Sequence, residues 1–352
     1  MHDSKKILSL ILNLFILSAC GTMPEASSAL NKVGSSPEQE NAIRNGEPIS
    51  REEYPEVGTL VRTYSSHPDY YASGCTGTLI APDVVLTAAH CIPDDKPDGP
   101  RLAGFSLDHD ISDFRRPDHF VEIDAVNMHP DYTVDGLIAV DDELIWSIYA
   151  DLALLRLKEP VQLTHFTPLL KPDQTFTPEP LMTSVGYGNN ASTSKDFSGD
   201  IGGGIKRKAN LGFAGTFDGK ADVVDMPLVK DAMVYSLPLV NINANPCQGD
   251  SGGPLFAMID GQSFVVGVLS WGRGTNCDDM NLSMHTNPAA FYSWIEETLD
   301  DFAHPWNNPR QRLDVNDDGF VSPLDALMII NQLNKTGAIS LPDSHLERAP
   351  LA

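Results

Sequence analysis

The stretch "NPCQGDSGGPLF", residues 245–256, sets one serine, Ser251, between an aspartate and a pair of glycines in a segment with almost no side-chain bulk. Glycines let a backbone turn sharply and let a ligand come close to its N–H groups. A serine held in such a turn is a candidate nucleophile. The reading stands only if the rest of the chain supplies a base, an acid to orient that base and a use for the glycines.

The chain has 352 residues and an ordinary apolar content of 41%, enough for one large or two medium domains with a substantial core. Its 48 acidic against 24 basic residues leave a net charge of −24, which argues against nucleic-acid binding, because that needs basic surface to displace counterions from phosphates. The acidic balance is compatible with calcium. Residues 1–20, "MHDSKKILSLILNLFILSAC", run from Lys5 and Lys6 through an apolar stretch to small residues before Cys20. That stretch is too short for a membrane span of about 20 residues and has the layout of a secretory signal. The ending "LSAC" before Gly21 resembles a bacterial lipobox, which implies lipidation of Cys20 and membrane attachment. Of the five cysteines, a lipidated Cys20 leaves Cys75, Cys91, Cys247 and Cys277, an even number for an exported chain.

Residues 21–42 are rich in Ser, Pro, Gly and polar residues and read as a flexible linker or pro-segment. From Gly58 onward the chain breaks into short β-rich runs, "VGTLV", "TGTLIA", "VVLTA", "FVEIDAV", "DLALLRL", "LMTSVGYG" and "FVVGVLSWG", separated by Gly, Pro, Asn and Asp. This pattern predicts an antiparallel all-β domain, barrel or sandwich. The first long amphipathic helix is expected in "PAAFYSWIEETLDDF", where Phe291, Trp294, Ile295 and Leu299 share a face. Residues 303–311 form a Pro- and Asn-rich connector, 312–335 a compact acidic module, and 336–352 a polar tail.

The partners for Ser251 stand in "LTAAHC", which ends in His90 and Cys91, and in "DLALLRL", which begins at Asp151. Together with GDSGGP, in the order His, Asp, Ser, these motifs resemble the chymotrypsin-like serine proteases over residues 43–302. The resemblance implies two six-stranded antiparallel β-barrels with the active site between them, and no cofactor for catalysis. Histidine titrates near neutrality and suits the role of base for a serine hydroxyl, while a carboxylate on its other ring nitrogen fixes the tautomer. The family template gives His90, Asp151 and Ser251 these roles and makes the backbone N–H groups of Gly249 and Ser251 the oxyanion hole. It also implies bonds Cys75–Cys91 and Cys247–Cys277. Ser270, Trp271 and Gly272 match the segment that pairs with the substrate backbone, and His129 a surface loop with a structural role.

The segment "AIRNGEP", residues 42–48, resembles the family's activation site. Cleavage by an activating protease would free the Ile43 ammonium to pair with Asp250. Trypsin-like members carry an aspartate six residues before the serine; here that position is Asn245, so weak cleavage after Arg and Lys is expected. Gly272 keeps one pocket wall open, and Ser283 replaces a family glycine on the other.

In "DVNDDGFVSPLD", Asp314, Asn316 and Asp318 hold positions 1, 3 and 5 of a twelve-residue loop, with Gly319 at 6, the Phe320 carbonyl at 7 and Asp325 at 12. That spacing surrounds a Ca2+ ion with oxygens. The pattern resembles one half of a type I dockerin, which leaves open a cohesin-like partner, a sorting or surface interaction, and a calcium-stapled tail. The sequence as a whole reads as a secreted, lipid-anchored serine endopeptidase acting on proteins or peptides. A different class, a non-catalytic or calcium-dependent docking lipoprotein on a protease scaffold, would show a lost triad member or oxyanion glycine, and none is lost.

Overall fold

The computed structural model describes residues 43–65, 67–94, 99–140, 143–189, 203–219, 229–239, 244–273, 277, 281–303 and 320–336. Cys20 and the loop residues Asp314, Asn316, Asp318 and Gly319 lie outside the described residues. The strands are β1 (Glu47–Pro48), β2 (Val57–Tyr64), β3 (His67–Ala81), β4 (Val84–Thr87), β5 (Pro100–Ser106), β6 (Phe120–Met128), β7 (Thr133–Val140), β8 (Glu143–Tyr149), β9 (Ala153–Leu157), β10 (Leu181–Gly186), β11 (Arg207–Gly219), β12 (Val229–Pro238), β13 (Pro254–Ile259), β14 (Gln262–Arg273) and β15 (Leu282–Thr286).

Six of them close a first barrel in the order β2-β3-β4-β9-β6-β5. The second follows β11-β10-β13-β14-β15-β12, and the β11–β12 pairing closes it, with β1 added along β11. Every strand pair is antiparallel, and β7 and β8 form a separate hairpin. The expected double barrel is therefore the architecture observed.

The central strands bury all their residues. In β4, "VVLT", and β9, "ALLRL", each position is buried, because one face fills the barrel and the other is covered from outside. Leu60, Leu79, Val85, Leu86, Phe105, Leu154 and Leu155 make up the first core. Arg156 is the polar exception in β9, and its guanidinium lies 2.7 Å from Asp124.

A 3-10 turn over Pro288–Phe291, capped by the Asn287 side chain accepting from the Ala289 amide, leads into helix α1 (Tyr292–Ala303). Phe291 and Ile295 join the first core, and Trp294 and Leu299 pack against it, as the sequence pattern requires. A second helix, α2 (Pro323–Thr336), carries exposed Leu324, Leu327, Ile329 and Ile330.

Candidate active site

β4 and β9 are antiparallel neighbours with Thr87 opposite Ala153, so the residues beyond these ends emerge side by side. One is His90, in the 3-10 turn Ala89–Cys91; the other is Asp151. His90 Nδ1 lies 2.7 Å from Asp151 Oδ2, and the His90 amide donates to Oδ1 at 2.9 Å. Ser270, on β14, donates its hydroxyl to Oδ2 at 2.5 Å. Asp151 is fully buried. Burial alone would raise its pKa, but the hydrogen bonds and charge of His90, with those of Ser270 and the His90 amide, outweigh it and hold the carboxyl below its ordinary value. An ionised carboxylate at Nδ1 fixes the proton there and leaves the Nε2 lone pair for another partner.

Ser251 is half-buried in the turn before β13, and its carbonyl accepts the Thr76 amide at 2.8 Å. Cys91 Sγ lies 3.5 Å from the Ser251 carbonyl oxygen and 3.9 Å from His90 Nε2. The same sulfur thus touches the free face of the histidine ring and the backbone of the serine. Cys75 is bonded to Cys91 and Cys247 to Cys277, with Cα separations of 6.0 and 5.3 Å. Cys75, Cys91 and His90 also cluster closely enough to suit a metal, but the disulfide removes the thiolates a metal would need.

Two glycines of the opening stretch have a steric use. A Cβ on Gly252 (φ +80) would lie 2.1 Å from Thr87 Oγ1 and 2.4 Å from the Thr76 carbonyl oxygen, so its bareness lets the nucleophile turn press onto the first barrel. Gly249 (φ +96) sits where a Cβ would be 2.8 Å from Gly188 Cα. The preceding carbonyl, of Gln248, accepts the Asn189 amide at 2.7 Å, so the Gly249 N–H of the same planar peptide points the opposite way, away from Asn189. Among the backbone bonds of the described residues, neither the Gly249 nor the Ser251 N–H has an acceptor. A cleft of about 160 Å³ opens beside this turn, lined by Gly249, Gln248, Asn189, Tyr187, Arg62 and Phe114.

Asp250 points inward, fully enclosed, and accepts the amides of Gly188 and Cys247, each at 2.7 Å. Burial pushes its pKa up to about 7, against the pull of those two amides and the Arg207 charge. Ile43 is fully buried against Ala209 and Ala244, with φ +32, a region that β-branched residues rarely enter.

Asn245 has no solvent exposure; its backbone N–H donates to the Arg44 carbonyl at 3.1 Å, while its side-chain Nδ2 and Oδ1 have no partner among the described residues. Gly272 and Ser283 are opposite each other across β14 and β15, which sets the two expected wall residues side by side. β14 bonds to β13 as far as Val268 and to the Gly252–Gly253 backbone at Leu269. Past that point Ser270, Trp271 and Gly272 have β15 on one side and no described strand on the other, which leaves an edge for a peptide to join.

Some residues of the site carry no motif. Thr76 Oγ1 donates to the Gly249 carbonyl at 3.0 Å and accepts the Tyr187 amide at 3.1 Å, tying the nucleophile turn to both barrels. His285, beside the Ser283 strand positions, is fully buried with Nε2 3.0 Å from Ser236 Oγ, and burial drives its pKa down to about 3. His129 is not on the surface: it is buried against Phe291 and Trp294, a packing role.

At the C-terminal module, Ser322 Oγ accepts the Leu324 amide at 3.2 Å, and Asp325 accepts the Ser322 amide at 2.8 Å, a reciprocal cap on α2. Asp325 is buried, while the Phe320 side chain is 74% exposed and leaves only its carbonyl as a candidate ligand.

A closed pair of antiparallel barrels, with a histidine–aspartate pair from one facing a glycine-bounded serine from the other, defines a class of hydrolase. The family model "Trypsin" matches residues 43–295, most of the chain, and the chain belongs to this family. Residues 307–346 match the model of the dockerin type I domain. Vitamin K-dependent protein C of Oryctolagus cuniculus is 27% identical over 64% of this chain and 47% of its own length. Tryptase of Mus musculus is 28% identical over 64% of the chain and 78% of its own length. Chymotrypsin-like elastase family member 1 of Macaca fascicularis is 26% identical over 75% and 91%. The chain thus spans about half the length of the protein C relatives it matches.

Proposed function

We propose that the protein is an exported serine endopeptidase. Ser251 Oγ attacks the peptide carbonyl carbon and gives its proton to His90 Nε2, with Asp151 stabilising the imidazolium that results. The oxyanion takes hydrogen bonds from the Gly249 and Ser251 N–H groups. Collapse breaks the C–N bond, the leaving amine takes the proton from His90, and water repeats the sequence to release the acid and restore Ser251. The observation that carries this reading is the His90–Asp151 contact of 2.7 Å, reinforced from Ser270 and set beside the Ser251 turn. Hydrolysis of unfolded protein by the wild type, lost in Ser251→Ala, tests it; equal hydrolysis by both would overturn it.

Cleavage before Ile43 by an activating protease raises activity by freeing an ammonium for Asp250. The observation behind this reading is that the Ile43 side chain is fully buried with Ala209 and Ala244. Asn245, with Ser283 and Gly272, favours uncharged side chains over Arg and Lys at the cleavage site. Lipidation at Cys20 anchors the uncut chain to a membrane, and because no bonded cysteine spans the cut, cleavage releases the catalytic domain. Sequencing of membrane and soluble fractions tests this: active enzyme beginning at Ile43 and retained in salt-washed membranes would contradict it.

In the C-terminal module, Asp314, Asn316, Asp318, the Phe320 carbonyl and Asp325 would hold Ca2+, an all-oxygen set suited to a hard cation. Asp325 fits because its carboxylate is buried at the start of α2. The ion would order the loop that leads into the helix. The dockerin match and the exposed apolar residues of α2 support a second reading for this part of the chain, attachment to a cohesin-bearing partner.

A further inference from the structure

Arg207 opens β11 and is almost completely buried, an unusual place for a guanidinium on a surface-to-core strand. Its direct partner across β10 is Gly186. Directly opposed residues of an antiparallel pair point their side chains to the same face, with Cβ atoms about 4.5–5.5 Å apart. On that face, the space a Gly186 side chain would fill is taken by Asp250: a Cβ on Gly186 would be 2.1 Å from Asp250 Oδ1. Arg207 therefore leaves β11 toward the carboxylate of the nucleophile turn. Ala209, two residues on and on the same face, packs against Ile43. Arg207 and Ile43 thus lie on the same surface of the sheet.

The chain described here is uncut, yet Asp250 is already turned inward onto the Gly188 and Cys247 amides, and the Gly249 peptide already has its N–H clear of Asn189. A cation facing a buried carboxylate favours its charged form over the neutral one. We propose that Arg207 is that cation, a positioning residue that favours the charged form of Asp250 and keeps the Gln248–Ser251 turn ordered before cleavage, so that the uncut chain already has a reactive Ser251. Cleavage at Ile43 adds a second cation to a turn that one already holds. Burial raises the Asp250 pKa and lowers that of Arg207, and in each the charge of the other opposes the shift. The inference rests on the protease reading above and specifies its regulation.

The test measures the rate of fluorophosphonate labelling of Ser251 in the full chain, with intact mass confirming an uncut Ala42–Ile43 bond, and in chains cut to begin at Ile43. Uncut Arg207→Gln is expected to label at least about tenfold more slowly than uncut wild type, and uncut Arg207→Lys to recover most of that rate. Cut wild type and cut Arg207→Gln should label alike, because the ammonium substitutes for the lost charge. That normal cut form also shows that the variant folds. A measurement without substitution is carbamylation of the Ile43 amine of cut wild type with cyanate at neutral pH, which should return labelling to the uncut rate without abolishing it.

Equal slowing of cut and uncut Arg207→Gln, an unslowed uncut variant, abolition by carbamylation, or an unreactive uncut wild type beside a reactive cut one would each overturn the Arg207 role and leave the protease reading intact. Failure of both wild-type forms to label would overturn the protease reading and this inference with it.

Discussion

Ser270 donates its hydroxyl to Oδ2 of Asp151 at 2.5 Å, the same oxygen that meets the His90 ring. The second barrel thereby holds the carboxylate that meets a histidine carried by the first. Ser270→Ala should raise the Asp151 pKa and lower kcat. A hydrogen bond to a charged group is worth about 1.5–3 kcal/mol, so kcat/KM should fall by roughly 10- to 100-fold. Steady-state kinetics on one peptide ester checks this, and KM should move little, because Ser270 acts through Asp151.

Asn245 is buried, its side-chain amide has no partner among the described residues, and it stands at the position proposed to face the substrate side chain. Cleavage of a peptide library read by mass spectrometry should show weak cutting after Arg and Lys in the wild type. Asn245→Asp should raise Arg and Lys cleavage relative to uncharged residues by at least about tenfold, while an enclosed carboxylate without substrate lowers the melting temperature. Comparable wild-type cleavage after Arg would contradict the assignment.

His285 is held neutral by burial, its pKa driven down to about 3. The unfolded chain takes up that proton as pH falls below about 6.5, and the folded chain does not until about pH 3, so stability is full above about 6.5 and drains away through this window. Urea midpoints at pH 7.5 and 5 should differ more for the wild type than for His285→Gln, which keeps a partner for Ser236 and has nothing to titrate.

Calcium removal should act on the C-terminal module and leave labelling of Ser251 unchanged. Asp325→Ala is expected to lose both the metal and the α2 cap. Ser322→Ala loses the cap alone, worth about 1 kcal/mol, and should keep calcium affinity near wild type. Titration calorimetry on the full chain separates the two, and equal loss of affinity in both variants would count against Asp325 as a ligand.

Much of this site was legible because its chemistry is local. GDSGGP, LTAAHC and DLALLRL each place one reactive side chain in a short stretch, and the β-rich runs around them mark the strands that carry it. The two disulfides found are those the family template implies. Other features depend on partners distant in sequence. β11 and β12 close the second barrel only by pairing with each other across the intervening residues, and nothing local marks Arg207 as the residue opposite Gly186. Thr76 is an ordinary strand threonine until the turn from the other barrel docks on its hydroxyl. His285 has no motif, and its burial comes from neighbours on β12 and β14.

The proposed role of Ser251, a nucleophile activated by His90 and oriented through Asp151, is tested by treating the chain with a fluorophosphonate and locating the adduct by peptide mass spectrometry. One adduct is expected, on Ser251, lost in Ser251→Ala and slowed by at least about a hundredfold in His90→Ala. A folded wild-type chain that gains no adduct, or one that labels at the same rate without His90, would contradict it.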